Sequence, residues 1–372
     1  MIGDISVSAK QLLKKACHYS ADLVKPGDNK NCKNKTTHLI ANTRTKSGSQ
    51  TAQKFSKSAI LLIVSAVALC ASQAIVLADS CIGQTDWRVA SGDWFTGSNW
   101  TNGVPNASTS AQVNNGGTAT IGTTGAVSCD LTLGALGTQS GRVVVDHGSY
   151  TIQLDAAVGE SGTGVLTIKN GGTVSAVSAA IATVQANPSS NGTVSVDGGS
   201  FTVTGAISVG GDAGSAGGTG LLTVTNSGTV TAASVHAWQS ATVTGNGTVT
   251  TTSGTTNIEG TLEPSSGQLT ISGGDLIFNG TTALMLCNVV PASADNVYVS
   301  NGAASLTGKL KVRMTGTFTP DTTYTLLHSQ GALTGSFSST SITYPTNQCF
   351  TPVITYDYVA NKVNLYLQST CL

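Results

Sequence analysis

The sequence is short of charge, of aromatic rings and of proline. Asp, Glu, Lys and Arg make up 10% of its 372 residues, Phe, Trp and Tyr 5%, and there are only 8 prolines. Globular enzymes are ordinarily richer in both charge and aromatics, so these shortages argue against a catalytic core. Cys-x-x-Cys and His-x-Cys spacings are absent, which removes the usual frames for zinc. No stretch of the mature part combines a helical period with helix-forming residues, so helical repeats are excluded as well. What remains is abundant: 44 glycines, set among Thr, Ser and Val. That mixture suits many short strands joined by tight turns.

The net charge of zero conceals an asymmetry. Over residues 1–58 Lys and Arg outnumber Asp and Glu by 11 to 3, whereas from Asp79 onward the balance is 7 basic to 15 acidic. A mature part near −8 (7 − 15) is a poor partner for nucleic acid, since neutralising phosphates takes clustered Lys and Arg. Between the two regions lies "KFSKSAILLIVSAVALCASQAIVLADS". Its basic start, apolar run over 59–78 and small residue at Ala78 predict an export signal cleaved before Asp79. An uncleaved anchor is the alternative, but Ser65, Ser72 and Gln73 weaken such a span. Residues 1–58 are expected to be a leader that is disordered or removed. Five cysteines follow the signal: Cys81, Cys129, Cys287, Cys349 and Cys371. In an exported chain disulfides are their default use, and an odd number leaves one over.

The repeats predict the architecture. In "GVLTIKNGGTV", Leu166 and Ile168 alternate with Thr167, Asn170-Gly171-Gly172 turns the chain, and Val174 opens the next strand. The same pattern returns at Val194 and Val196, a shift of 28 (194 − 166), and again at Leu222 and Val224 (222 − 194). Upstream, "RVVVDHGSYTI" matches "TVSVDGGSFTV" at a shift of 51 (194 − 143). Alternation in twos means strands with one buried face. A unit this short cannot bury that face alone and must stack on its copies. The expected fold is all-β: a right-handed parallel β-helix over 115–290. Residues 79–114, with Trp87, Trp94 and Trp100, are expected to form an N-terminal cap. There the tryptophans serve as a lid over the first coil rather than as a sugar-stacking platform. Residues 291–372 are expected to form a C-terminal antiparallel, sandwich-like β cap.

Several stretches resemble a known group of proteins. "VGESGTGVLTIKNGGTVSA" and "VGGDAGSAGGTGLLTVTNSGTVTAA" resemble the repeats of type V secretion (autotransporter) passengers and PEP-CTERM surface proteins. "GDWFTGSNWTNGVP" is similar to the tryptophan-rich start of such passengers, and "IEGTLEPSSGQLTISGGDLIF" to their last coils. The resemblance spans most of residues 87–367. It implies a secreted or cell-surface rod, with host or environmental glycans or proteins as partners. It also implies an outer-membrane translocator barrel, either missing here or separately encoded as a partner.

Catalytic groups are expected to be missing. Asp146-His147 in "VVVDHGS" is similar to the Asp-His pair of pectate lyases. Yet Asp146 aligns with Asp197, and His147 with a turn glycine, so Asp146 is expected to cap its own turn. Arg142 and Lys169 are the only basic side chains over 115–290, too few for a polygalacturonate groove. "GGDAGSAGG" puts Ala213 where a protease needs its serine, and Asp212 stands alone where calcium repeats need several. His236, beside Trp238, is expected to be a lone histidine on a solvated edge. The expected function is that of a non-enzymatic, exported surface protein for adhesion or coating, with no catalytic, cofactor or metal residues. A polysaccharide lyase-like β-helix and a subunit stacking end to end remain the alternatives. Cys349 and Cys371 are candidates for a disulfide. Pairing residues whose numbers sum to 720 sets Ile354 against Tyr366, Pro352 against Gln368, and the two cysteines against each other.

Overall fold

In the computed structural model, residues 81–183, 190–346 and 348–371 are described. The leader and the export signal expected over 1–78 lie outside the described residues. What is described is a parallel β-solenoid with three faces, whose sheets hold 12, 11 and 11 strands. One coil shows the plan. Thr163–Lys169 lies in sheet I, Thr173–Ala176 in sheet II and Ser178–Ile181 in sheet III, after which the chain returns to sheet I at Asn191–Asp197. Among the described residues helix is limited to one 3-10 turn, Gly97–Asn99.

The repeats stack in the register that their alignment predicts. Val143, Leu166, Val194 and Leu222 are successive neighbours in sheet I, and Tyr150, Val174, Phe201 and Val230 in sheet II. Each is buried, so the core is a set of apolar columns running up the rod. The Thr and Ser between them face out, as a pleated strand requires. At the corner between sheets I and II, Asn170 and Gly171 take φ of 53° and 78°, the left-handed region that Asn and Gly tolerate best. A second requirement for glycine sits at Gly141, Gly164, Gly192 and Gly220, which stack in register near the start of their strands. A Cβ on Gly192 would press into the Val158 carbonyl and the Ala182 nitrogen. The close approach of corner to strand therefore permits no side chain.

Parallel pairing runs beyond residues 115–290 in both directions. Gly83–Asp86 pairs in parallel with Thr109–Val113, so the expected cap contains a coil of its own. Trp87, Trp94 and Trp100 are buried and meet edge to face, with Trp94 also lying 4.8 Å from the Tyr150 ring. They act as an apolar lid and offer no exposed platform. At the other end, Asn296–Ser300, Ala304–Leu306, Lys309–Met314 and Ser339–Thr343 all pair in parallel with the coils before them. The antiparallel part is narrower than residues 291–372. It consists mainly of the hairpin Phe350–Asp357 and Lys362–Ser369, added to the end of sheet II through Thr323–Ser329. The expectation stopped early because the coils beyond 290 lose the regular Gly-Thr-Val spacing while keeping the inward apolar columns.

That hairpin pairs Ile354 with Leu365 and Pro352 with Leu367, so paired numbers sum to 719 instead of 720. Pro352 lies on the outermost strand, where its missing N–H costs no internal ladder bond. Cys349 and Cys371 are nonetheless disulfide-bonded, with Cα atoms 5.0 Å apart. Strand pairing ends at Phe350 and Ser369, and Thr370 N–H donates to the Cys349 carbonyl. Both cysteines are thus past the ladder, free of the face alternation that a slip would otherwise impose. A second disulfide joins Cys81 to Cys129, with Cα atoms 5.7 Å apart, and buried Cys287 is left as a thiol. Burial pushes the Cys287 pKa upward, which makes its thiolate scarce.

Candidate functional site

The three corners of the solenoid are not alike. Between sheets II and III the chain turns on as little as Val177. Between sheets III and I the described connections vary along the rod, among them 134–139, 159–162, 210–218 and 238–240. The flanking strands keep their register regardless. One edge of the rod is therefore a ridge of loops on a rigid support, the arrangement in which binding residues usually sit.

The best-defined cluster on this ridge brings together three coils. His236 faces outward from Ser234–Ala237 and stacks on Trp238, ring centroids 3.9 Å apart. His236 Nε2 lies 3.1 Å from Glu259 Oε1, and Trp238 Nε1 donates to the Asp212 carbonyl at 2.9 Å. His236 is thus not the lone edge histidine expected. Its carboxylate partner stands 23 residues away, in the next coil, a relation that in-register stacking creates and linear reading hides. Ser208 is His236's strand neighbour on the other side. No hydrogen bond joins the two side chains, so the base–nucleophile contact that acyl transfer needs is not made.

The segment 210–218 explains itself locally. Asp212 Oδ1 accepts the N–H groups of Gly214 and Ser215, and Gly211 pairs with Ala216 across the turn. Asp212 caps a small hairpin that seats Trp238. Among the described residues no three His, Cys, Asp or Glu side chains gather as a metal site would require.

Asp146 lies at the corner between sheets I and II, distant in the coil from the ridge. Its carboxylate accepts the Asn170 side-chain amide at 2.9 Å and meets Lys169 Nζ at 3.1 Å and His147 Nδ1 at 2.7 Å. The Asn170 hydrogen bond, followed by Lys169, holds its pKa below the ordinary carboxylate value. Asp146 was expected to cap its own turn; it meets His147 there, while its bonds to Asn170 and Lys169 run to the next coil. Asp197 repeats the arrangement with Asn226 and Thr225 of the coil that follows it. In register, Asp146, Lys169 and Asp197 alternate in sign, so the Asp column ties coils together. Arg142 similarly reaches Thr167 of the next coil.

No protein-family model matches the chain, and no curated protein is significantly similar to it.

Proposed function

We propose that the chain is an exported, non-enzymatic surface protein, a passenger-like rod of the kind found in type V secretion and PEP-CTERM systems. Its task is adhesion or structural coating, with the loop ridge as the contact surface and glycans or proteins as partners. The observation that carries this reading is the ridge: loop length changes from coil to coil while strand register does not. A scaffold that tolerates such variation on one edge suits recognition better than chemistry, which needs fixed geometry. The carboxylates of Asp146, Asp197 and Glu259 support the same reading, each being engaged between coils. Cleavage at Ala78 and display through a separate outer-membrane translocator complete the proposal. Protease treatment of intact cells tests it. A cell-surface rod loses its epitope without lysis, and a protein protected until lysis refutes the proposal.

The end-to-end assembly alternative has one specific observation in its favour. Ser339–Thr343 is the outermost strand of sheet I, exposed over most of its length and carrying neither charge nor proline. Such an edge is open to another strand. Sedimentation of the purified chain separates the readings, since assembly requires species that grow with concentration.

A further inference from the structure

Positive charge is scarce on this rod and unevenly placed. Three of the seven Lys and Arg beyond Asp79 alternate along the single strand Lys309–Met314: Lys309, Lys311 and Arg313. Leu310, Val312 and Met314 between them are buried in the core, so alternation sends all three cations to the outer face of sheet I. Successive charges stand about 6.6 Å apart, and the row runs about 13 Å across the rod. The basic residues counted within 115–290 missed this row, because the solenoid continues past that boundary.

The neighbouring strands supply no counter-charge. Register sets Lys309, Lys311 and Arg313 beside Leu284, Leu286 and Asn288 on one side, and beside Ser339, Ser341 and Thr343 on the other. Asn288 is itself bonded to Asp295, whose carboxylate also accepts the Gly267 N–H. Glu263 belongs to the strand beyond the Leu284–Leu286 row. Among the described residues the ion pairs are Asp146 with His147 and Lys169, and His236 with Glu259; none includes this row. No ion pair engages the strand, although the carboxylates of Glu263 and Asp295 lie near Cys287 on the adjoining strand, so it is a local line of positive charge on an otherwise acidic rod.

The flanks are chemically distinct. A row of hydroxyls runs along one side of the cations; along the other stand half-buried Leu284, buried Leu286 and Asn288. At the Arg313 end, Thr343 opens into a depression lined also by Ile342, Tyr344, Pro345 and Phe350, where Tyr344 is 41% exposed. Carboxylates or sulfates suit the cations, sugar hydroxyls suit Ser and Thr, and the C–H faces of a pyranose suit the half-buried Leu284 and the tyrosine ring, Leu286 being buried. We infer that this face binds a linear acidic glycan lying along Lys309–Met314. Single-stranded nucleic acid is the weaker occupant, because bases need several stacking rings and, among the described residues, Tyr344 is the only exposed one beside the row.

The inference extends the surface-rod reading with a site apart from the ridge. It is tested on the purified full chain, so it can fail while surface display holds, and the reverse. Immobilised heparin and polygalacturonate are the probes, with neutral dextran and oligo(dT) as comparators. Both acidic glycans should bind and dextran should not. The dependence on salt should have a log–log slope of roughly 2, as about three charge contacts imply. K309Q/K311Q/R313Q should weaken binding at least tenfold and flatten that slope, whereas K362Q, on another sheet, should not. K309R/K311R should bind like the parent. The single variants K309Q and R313Q should each give part of the loss, which keeps the test valid if the triple variant melts early. Equal binding by the triple variant overturns the inference, as does equal capture by dextran or tighter binding of oligo(dT). Concentration-dependent self-association that vanishes in the triple variant, with glycan binding unchanged, assigns the row to a second copy instead.

Discussion

Removing the disulfide between Cys349 and Cys371 should loosen the end of the rod and nothing else. The bond closes a loop with a sequence separation of 22. Chain entropy for a loop of that size amounts to about 3.4 kcal/mol, which is roughly 300-fold in the equilibrium for opening. The loop is the terminal hairpin, joined to the coils through Lys362–Ser369 against Thr323–Ser329. In C349S/C371S its amides should therefore exchange with deuterium roughly 300-fold faster, under conditions where exchange reports the opening equilibrium. Amides of Thr163–Lys169, several coils away, should be unchanged, because repeat arrays couple mainly to their neighbours. Mass spectrometry of peptides covering 350–369 and 163–169 reads both. Unchanged protection of the hairpin would refute the reasoning, and so would an acceleration spread evenly along the rod.

Gly192→Ala should cost about 1–3 kcal/mol by overpacking against backbone, and more than Gly171→Ala, whose Cβ meets open space and pays only for its positive φ, about 1 kcal/mol; paired thermal melts decide, and a neutral Gly192→Ala would remove the close approach. Asp130 has its pKa raised, chiefly by burial and further by Asp155, against a lowering hydrogen bond from Ser110. The folded state then holds the proton more tightly than the unfolded one, so stability falls as pH rises through the interval above the unfolded value near ~3.9. Asp130→Asn should accordingly raise Tm at pH 7 and lose that advantage by pH 3. N-terminal sequencing of secreted material should begin at Asp79, and finding Met1 would refute the export signal. Incubation with polygalacturonate and calcium should release no unsaturated oligosaccharide, whereas release would restore Asp146 as a catalytic candidate.

The parts of this fold that were legible in the sequence are those in which every coil repeats one local rule. Leu166, Val194 and Leu222 could be aligned because each coil spends its inward positions on aliphatic side chains and its corner on Asn and Gly. Relations between coils were harder to read. Asp146 was visible as a corner residue, but its partner Asn170 belongs to the following coil, and which way the carboxylate turns is decided by stacking. Glu259 carried no signal as a partner of His236 until the coils were in register. The hairpin shows a different limit. Its two strands were recognisable by alternation, but a register of 719 or 720 depends on turn geometry around Asp357–Lys362, which alternation does not encode. Cys81 and Cys129 gave no local cue either, being brought together by the return of the first coil onto the second.

The parallel ladders also determine how this molecule bears load. Strands run across the rod, so the hydrogen bonds between coils point along its length, and tension applied through the chain ends would open them a few at a time. Each 28-residue coil, such as the one from Leu166 to Val194, would release close to ~100 Å of chain when peeled, less the ~5 Å that it occupied in the stack. Coils run from 19 residues (262 − 243) to 30 (340 − 310), so stretching should appear as a series of unequal rips, giving a tether that lengthens under pull instead of snapping. The two covalent bridges sit where such peeling would begin. Cys81–Cys129 fastens the first coil to its successor, and Cys349–Cys371 closes the last hairpin. Neither end can unwind freely while they hold, so the first yielding event would shift from the tips toward the coils between them.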